Sequence, residues 1–282
     1  KSSGGPRGRV LVGGLAGGVL AGLGAVVLWT LLDRRVRGDA DVKRRLGLPT
    51  LALVPTADGD PLLLRRPAVD PQATAFGLAA AVLRSYLEER QFRTVYVTSA
   101  EAGEGKSTAA ANLAVALARR GLTVALVDAD LRSPSLGSMF GVDESYGLAQ
   151  ILLGGELQAE LPAGETPLTS LRVLPAGPTA DVPPEILAAE RMGEILRALA
   201  ERHDVVVVDG PPLQAGGDAV TLARVAHTVV WVVRAGVTPG GRLGWMRHVL
   251  RNVRADVAGV LLTGAASDAP ERTYAFNETA PR

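Results

Sequence analysis

From residue 94 to residue 265 the chain switches repeatedly between two hydrophobic patterns. Short, almost wholly apolar runs appear as TVYVTSA, TVALVDAD, LRVLPAG, DVVVVDGPP, HTVVWVVRAG and VAGVLLTGA. They lack a polar alternation, as strands of a parallel sheet covered on both faces require. Before and between them lie stretches that read as helices, the first amphipathic and the second rich in Ala and Leu. These predict helices over 73–90, over Ser107–Arg120 with a stop at Gly121, over YGLAQILLGG, over Pro184–Ala200, over GDAVTLARVA and over GRLGWMRHVLRNV. Such strand–helix alternation predicts an α/β domain with a doubly wound, mostly parallel sheet.

The upstream pattern is different. Val10–Leu32 holds no charged residue, and as a helix this run of about 23 residues would be about 34 Å long, enough to cross a bilayer. It ends in Trp29, Leu31, Leu32, Asp33, Arg34 and Arg35, a stop-transfer border, and exceeds the apolar core of about 7–15 residues in a secretory signal. The reading is one transmembrane helix preceding the α/β domain, with Trp29 at the membrane interface. Arg34, Arg35, Arg37, Lys43, Arg44 and Arg45 outnumber Lys1, Arg7 and Arg9, so the C-terminal side is expected to be cytoplasmic. The first residue is Lys1 rather than Met, and a further upstream part is expected. Glycines 13, 14, 17, 18 and 22 permit close helix packing, or reflect only the frequency of glycine in membrane helices.

Composition narrows the functional classes. A net charge of +1 argues against a nucleic-acid-binding surface spread over the molecule. No cysteine is present, so disulfides, thiolate metal sites and thiol nucleophiles are excluded for this chain. His203, His227 and His248 lack metal-ligand spacing and read as structural or surface residues; Trp231 and Trp245 read as packing residues.

The candidate chemistry sits between the strand TVYVTSA and the next helix. Ala100–Ser107 fits small-x-x-x-x-Gly-Lys-Ser. Glycines let successive N–H groups turn towards phosphate oxygens, and the helix N-terminus adds positive potential. The nucleotide-binding residues are Ala102, Gly103, Glu104, Gly105, Lys106, Ser107 and Thr108. Lys106 is expected at the β- and γ-phosphates and Ser107 on Mg²⁺. Asp128 and Asp130 end ALVDAD, and Asp209 ends VVVVDG. Ligands of open α/β sheets bind at the carboxyl ends of strands. These carboxylates, with Ser107, are therefore read as a Mg²⁺ shell, Asp128 or Asp130 doubling as proton acceptor. Lys106, Asp128, Asp130 and Asp209 form the expected catalytic set, with ATP and Mg²⁺ as cofactors. The partition is a stub at 1–9, a membrane helix at 10–32, a juxtamembrane linker at 33–72, a P-loop domain at 73–265 and a polar, flexible tail at 266–282. Pro49, Pro55 and Pro61 break the linker, in which TLALV is a candidate short strand.

TSAEAGEGKSTAAANLAVALARRG, ALVDADLRSPSL and VVVVDGPP resemble the Walker A, A′ and B motifs of bacterial tyrosine kinases. LDRRVRGDADVKRRLGLPTLALVP resembles the segment after the second membrane helix of polysaccharide co-polymerases, the chain-length-determinant proteins, and LRVLPAGPTADVPPEILAAERMGEILRAL resembles the family's region before Walker B. The resemblance implies a P-loop fold and a protein-tyrosine autokinase in the bacterial cytoplasmic membrane. It implies a role in capsular or exopolysaccharide chain length, polymerisation and export, with an upstream extracytoplasmic domain. Homo-oligomers, the export machinery, a tyrosine phosphatase and the lipid bilayer are the implied partners; nucleic acid is not one. Related ATPases that partition DNA or position the division site carry a lysine where this chain has Glu101. The family's tail usually holds a tyrosine cluster, whereas here Tyr274 alone is available as phosphoacceptor. Tyr86 on a helix, Tyr96 inside a strand and Tyr146 opening a helix are expected to be held in place. The family's ring-forming helix is matched only at Arg84, and its base-proximal Asn is replaced by Thr263. A non-catalytic, ATP-switched assembly module stands as the alternative function, and a membrane-tethered ATPase of the DNA-partitioning or division-site type, against which Glu101 argues, as a third.

Overall fold

The computed structural model describes residues 35–265 apart from 57–58, 67–69, 159, 163, 165–166, 180–181, 183–185 and 188, together with Leu15, Gly18 and Gly22. The Val10–Leu32 run otherwise lies outside the described residues; Leu15, Gly18 and Gly22 are helical. Among the described residues no helix is long and apolar enough to cross a membrane. The 266–282 tail, with Tyr274, also lies outside them.

Seven strands form one sheet: β1 (Thr50–Pro55), β2 (Thr94–Ser99), β3 (Val124–Asp128), β4 (Leu171–Leu174), β5 (Val205–Asp209), β6 (Thr228–Arg234) and β7 (Val257–Ala265). Every described pairing is parallel, in the order β1-β7-β6-β2-β5-β3-β4. The apolar runs have the predicted cause. Along β2, Val95 and Val97 enter one core while Tyr96 enters the other; along β5, Val205 and Val207 oppose Val206 and Val208. Period-two alternation therefore serves two dry faces, and every position of β2, β3 and β5 is buried.

Helices α2 (Pro71–Arg90) and α3 (Lys106–Ala118) cover one face through Phe76, Ala80, Leu83, Leu113 and Leu117. On the other lie α1 (Asp39–Leu46), α6 (Ala189–Arg202), α7 (Gly217–Val225) and α8 (Gly240–Asn252), through residues such as Leu46, Leu196, Leu222 and Leu243. Short helices α4 (Leu136–Phe140) and α5 (Leu148–Leu152) lie between β3 and β4. Asp70 caps α2 by accepting from Gln72 N (2.7 Å) and Ala73 N (3.4 Å), with Pro71 at the first position.

The segment read as a linker, 33–72, contributes α1 and the edge strand β1. Thr50–Pro55 pairs with β7 more than two hundred residues later in sequence, and the compact unit that holds the sheet begins at Val36. Pro49 precedes the strand and Pro55 ends it, where a missing N–H does little harm at an edge. Trp231 is fully buried, as expected, but Trp245 on α8 is 40% exposed instead of packed. Leu243, Met246 and Leu250 form the buried stripe of that helix, and position 245 falls off it.

The strand order reverses beside β2. The chain skips outward from β2 to β3, returns to β5, then crosses to β6 on the other side. That reversal opens a crevice at the carboxyl ends of the strands. Asp128 registers with Asp209, so the ends of β3 and β5 are level, while β2 runs from its register at Val97 two residues further, to Ser99.

Candidate functional site

Residues 100–105 turn from β2 into α3 over that crevice. Gly103 and Gly105 adopt φ of +81° and +87°, the left-handed region, and nothing stands within 4 Å of where a Cβ would be. Glycine is needed here for the backbone rather than for space. Gly105 is the N-cap of α3, and no side chain caps the helix. Its first-turn N–H groups are thus left facing outward with the positive end of the helix.

Lys106 opens α3 with its side chain 11% exposed, its Nζ 2.5 Å from Asp130 Oδ2 and 3.2 Å from Ser107 Oγ. Asp128 ends β3. Its Oδ2 accepts from Ser135 N and Leu136 N, both at 2.9 Å, and its Oδ1 from Asp130 N at 3.3 Å. Burial pushes the Asp128 carboxyl up to about 6 despite these donors. Asp209 ends β5, is fully buried, and has no hydrogen-bond partner at bonding geometry on either oxygen. Burial pushes it up to about 7, opposed by the positive charge of Lys106 and, more weakly, by the Ser107 hydroxyl; Asp128 and Asp130 add to the rise.

The fold thus brings Lys106, Ser107, Asp128, Asp130 and Asp209 to one end of adjoining strands, with the exposed backbone of Ala102, Gly103 and Gly105 beside them. Ser107 and Thr108, both half-buried, occupy the first turn of α3. Among the described residues no three His, Asp or Glu side chains converge closely enough to hold a metal unaided. The aspartates are not a protein-only cage. That suits Mg²⁺, which commonly takes most of its ligands from phosphate and water.

Glu104 departs from the phosphate-loop role. Its side chain is 2% exposed and turned inward, accepting from Ala100 N (2.9 Å), Glu101 N (3.2 Å) and the Thr238 hydroxyl (2.6 Å). Only its main chain is left to face a ligand. Thr238, Arg234 and Arg242, all beside the loop, were invisible from local sequence. A carboxylate inside a loop meant for phosphate is the one signal that pointed towards them.

Of the tyrosines expected to be held, Tyr86 donates its O–H to Asp256. Burial and that carboxylate push it up to about 12. Tyr96 is fully buried and donates to Pro211 O at 2.6 Å; Tyr146 donates to Glu156 O at 2.8 Å. His227 is a structural acceptor, its Nδ1 taking Thr94 N–H at 3.1 Å. Arg84 makes an exposed ion pair with Glu88 at 2.6 Å, worth little by itself. Glu101 pairs with Arg242 at 2.6 Å.

Comparison with known proteins identifies the family. Residues 91–233 match the family model described as "ParA: NUBPL iron-transfer P-loop NTPase". Iron transfer finds no thiolate ligand in this cysteine-free chain. The chain is 36% identical over 178 residues to tyrosine-protein kinase YwqD of Bacillus subtilis (strain 168), covering 62% of this chain and 74% of that protein. It is 33% identical over 195 residues to the succinoglycan biosynthesis transport protein ExoP of Rhizobium meliloti (strain 1021), covering 67% of this chain but only 24% of ExoP. The solved BceF tyrosine kinase domain superposes with a TM-score of 0.71 at 27% identity, over 82% of this chain and 99% of that one. With the phosphate loop and its three strand-end aspartates on a parallel sheet, the chain belongs to the bacterial tyrosine-protein kinases, on a ParA-type P-loop NTPase fold.

Proposed function

We propose that the protein is an ATP-dependent protein-tyrosine autokinase that regulates capsular or exopolysaccharide chain length, polymerisation and export. In this reading 10–32 anchors it in the bacterial cytoplasmic membrane, with 1–9 outside, the P-loop domain in the cytoplasm and 266–282 as a tail. The observation that carries the reading is the convergence of Lys106, Ser107, Asp128, Asp130 and Asp209 around a carboxylate whose two oxygens are buried without partners.

The residues fit a Mg²⁺–nucleotide. An interior carboxylate with unpartnered oxygens is costly unless a cation is its counterpart. The positive-φ glycines and uncapped α3 offer N–H groups to an anion. Ser107 and Asp209, with Asp128 and Asp130 behind them, would hold Mg²⁺, which supplies positive charge against the phosphate oxygens. The N–H groups of residues 102–108 orient the phosphates, and Lys106 supplies a point charge at the β- and γ-oxygens. A phenol oxygen forms a bond to the γ-phosphorus as the bond to ADP breaks. The phenolic proton passes to a carboxylate. Asp128 is the better candidate for that task, because burial already raises its proton affinity.

Tyr274 is the proposed phosphoacceptor. Tyr86, Tyr96 and Tyr146 are each tied by a hydrogen bond to the fold, and in-line transfer needs about 3–3.5 Å between reacting atoms. Delivery from a neighbouring subunit of a homo-oligomer, with the export machinery and a tyrosine phosphatase as partners, completes the proposal. Incubation with ATP–Mg²⁺ and mass-spectrometric mapping is expected to find phosphotyrosine at Tyr274 and its loss in Tyr274→Phe. ATP consumption without phosphotyrosine in the parent protein would instead support the ATP-switched assembly module.

A further inference from the structure

The end of β6, the turn after it and the first turn of α8 hold the phosphate loop at one point each. Arg234 Nη1 donates to Gly103 O at 3.2 Å, the Thr238 hydroxyl donates to Glu104 Oε1 at 2.6 Å, and Arg242 Nε pairs with Glu101 Oε1 at 2.6 Å. The middle contact is the buried one: Thr238 is 0% and Glu104 2% exposed. Thr238 Oγ1 accepts Arg234 N–H at 2.9 Å, so its own proton is directed at Glu104. The other Glu104 oxygen takes Ala100 N–H and Glu101 N–H. This one carboxylate therefore ties the beginning of the phosphate loop, its own position within it and the β6–α8 turn together.

The same turn grips the chain where it enters the domain. Val36 N donates to Thr238 O at 3.1 Å, and Gly236 N donates to Val36 O at 2.8 Å. The Val36 side chain is fully buried. Thr238 thus bonds on one side to Val36 and on the other to Glu104 of the phosphate loop.

We propose that Glu104 and Thr238 are positioning residues for the phosphate loop, and that Thr238 couples nucleotide affinity to the chain at Val36, just after the membrane-proximal segment. The proposal rests on reading residues 100–108 as a nucleotide site. If the chain at Val36 shifts, Thr238 moves with it, and Glu104 Oε1 is left buried without a donor. A buried charged acceptor without its partner is expensive, so the loop rearranges or the shift is resisted. Coupling of this kind is reciprocal: nucleotide binding must tighten the hold on Val36 by the factor that the hold tightens nucleotide.

The test measures binding of a fluorescent ATP analogue to the full chain, not phosphoryl transfer. Thr238→Val, which keeps the shape and removes the hydroxyl, is expected to weaken binding about 10-fold, and Thr238→Ser to restore it to within about two-fold. Val36→Pro removes the N–H given to Thr238. It is expected to weaken binding in the parent and to add nothing in Thr238→Val. Parent-like affinity in Thr238→Val, no recovery in the serine variant, or an equal Val36→Pro effect in both backgrounds would overturn the proposal. Hydrogen exchange at Val36 N–H in the unmutated protein provides a readout independent of variant folding: nucleotide should slow it, and an unchanged rate also overturns the coupling. A parent protein that binds no nucleotide overturns the functional reading and this proposal with it, whereas binding by the parent and by insensitive variants overturns the proposal alone.

Discussion

Replacing Lys106 by methionine is expected to lower nucleotide affinity by about 100-fold or more, since losing a desolvated, charge-assisted contact costs about 3 kcal/mol. Methionine preserves the apolar stem that runs beside the loop and removes only the charge. The two arginines bonded to the loop are already engaged. Arg234 is engaged with Gly103 O and Arg242 with Glu101. The same change has a second, separable consequence. Asp130, 4% exposed, loses the ammonium 2.5 Å from it, and a buried carboxylate stripped of its partner destabilises a fold by about 3 kcal/mol or more. Lys106→Met should therefore unfold at lower urea concentration than the parent, and Lys106→Met combined with Asp130→Asn should regain most of that stability without regaining affinity. Calorimetric titration and urea unfolding on the three proteins read the two effects independently. Undiminished affinity in Lys106→Met would show that the phosphates are held elsewhere.

The parts of the fold that were legible are those encoded locally. VVVV at 205–208 reads as an interior strand because a short run of four β-branched residues suits a sheet covered on both faces, and that is where β5 lies. The glycine–lysine–serine turn and the strand-end aspartates were legible for the same reason: their chemistry follows from position along one strand–loop–helix unit. The edge strand β1 was legible as the candidate strand TLALV but not as a member of this sheet, because its partner β7 is far off in sequence and a short run between prolines does not announce a pairing across that distance. Helix α1 was missed because only Val42 and Leu46 are buried in it, one i, i+4 pair in an otherwise charged segment. Its signals were present nonetheless: glycines at both ends, with Gly47 at φ 64°, acids in the first turn and bases in the last. Glu104 could be placed in the loop but not turned inward, since its donors Ala100 and Glu101 are local while Thr238 lies 134 positions away.

The largest divergence between stability and function is expected at Asp209. Its folded-state value of about 7 stands well above the ordinary 3.8, so between about pH 4 and pH 7 the folded chain keeps a proton that the unfolded chain has released. Folding through this group is thus favoured as pH falls across that window. Above about pH 7 both states are ionised, and the folded state carries the full cost of an interior charge without a partner. Asp209→Asn removes that charge while keeping the side-chain shape. In chelator and without nucleotide, the variant is expected to be more stable than the parent at pH 8, by on the order of a few kcal/mol, with the difference shrinking towards zero near pH 4. Asp128, raised to about 6 mainly by burial, titrates in the overlapping window, so the quantity to follow is the difference between variant and parent at each pH. Phosphoryl transfer should move the opposite way, falling by about 100-fold or more because the charge that opposes Mg²⁺ has gone. Thermal unfolding across pH, paired with a γ-phosphate transfer assay, separates the outcomes. A variant that is both less stable at pH 8 and still active would place Asp209 among the packing residues of β5 and remove it from the site.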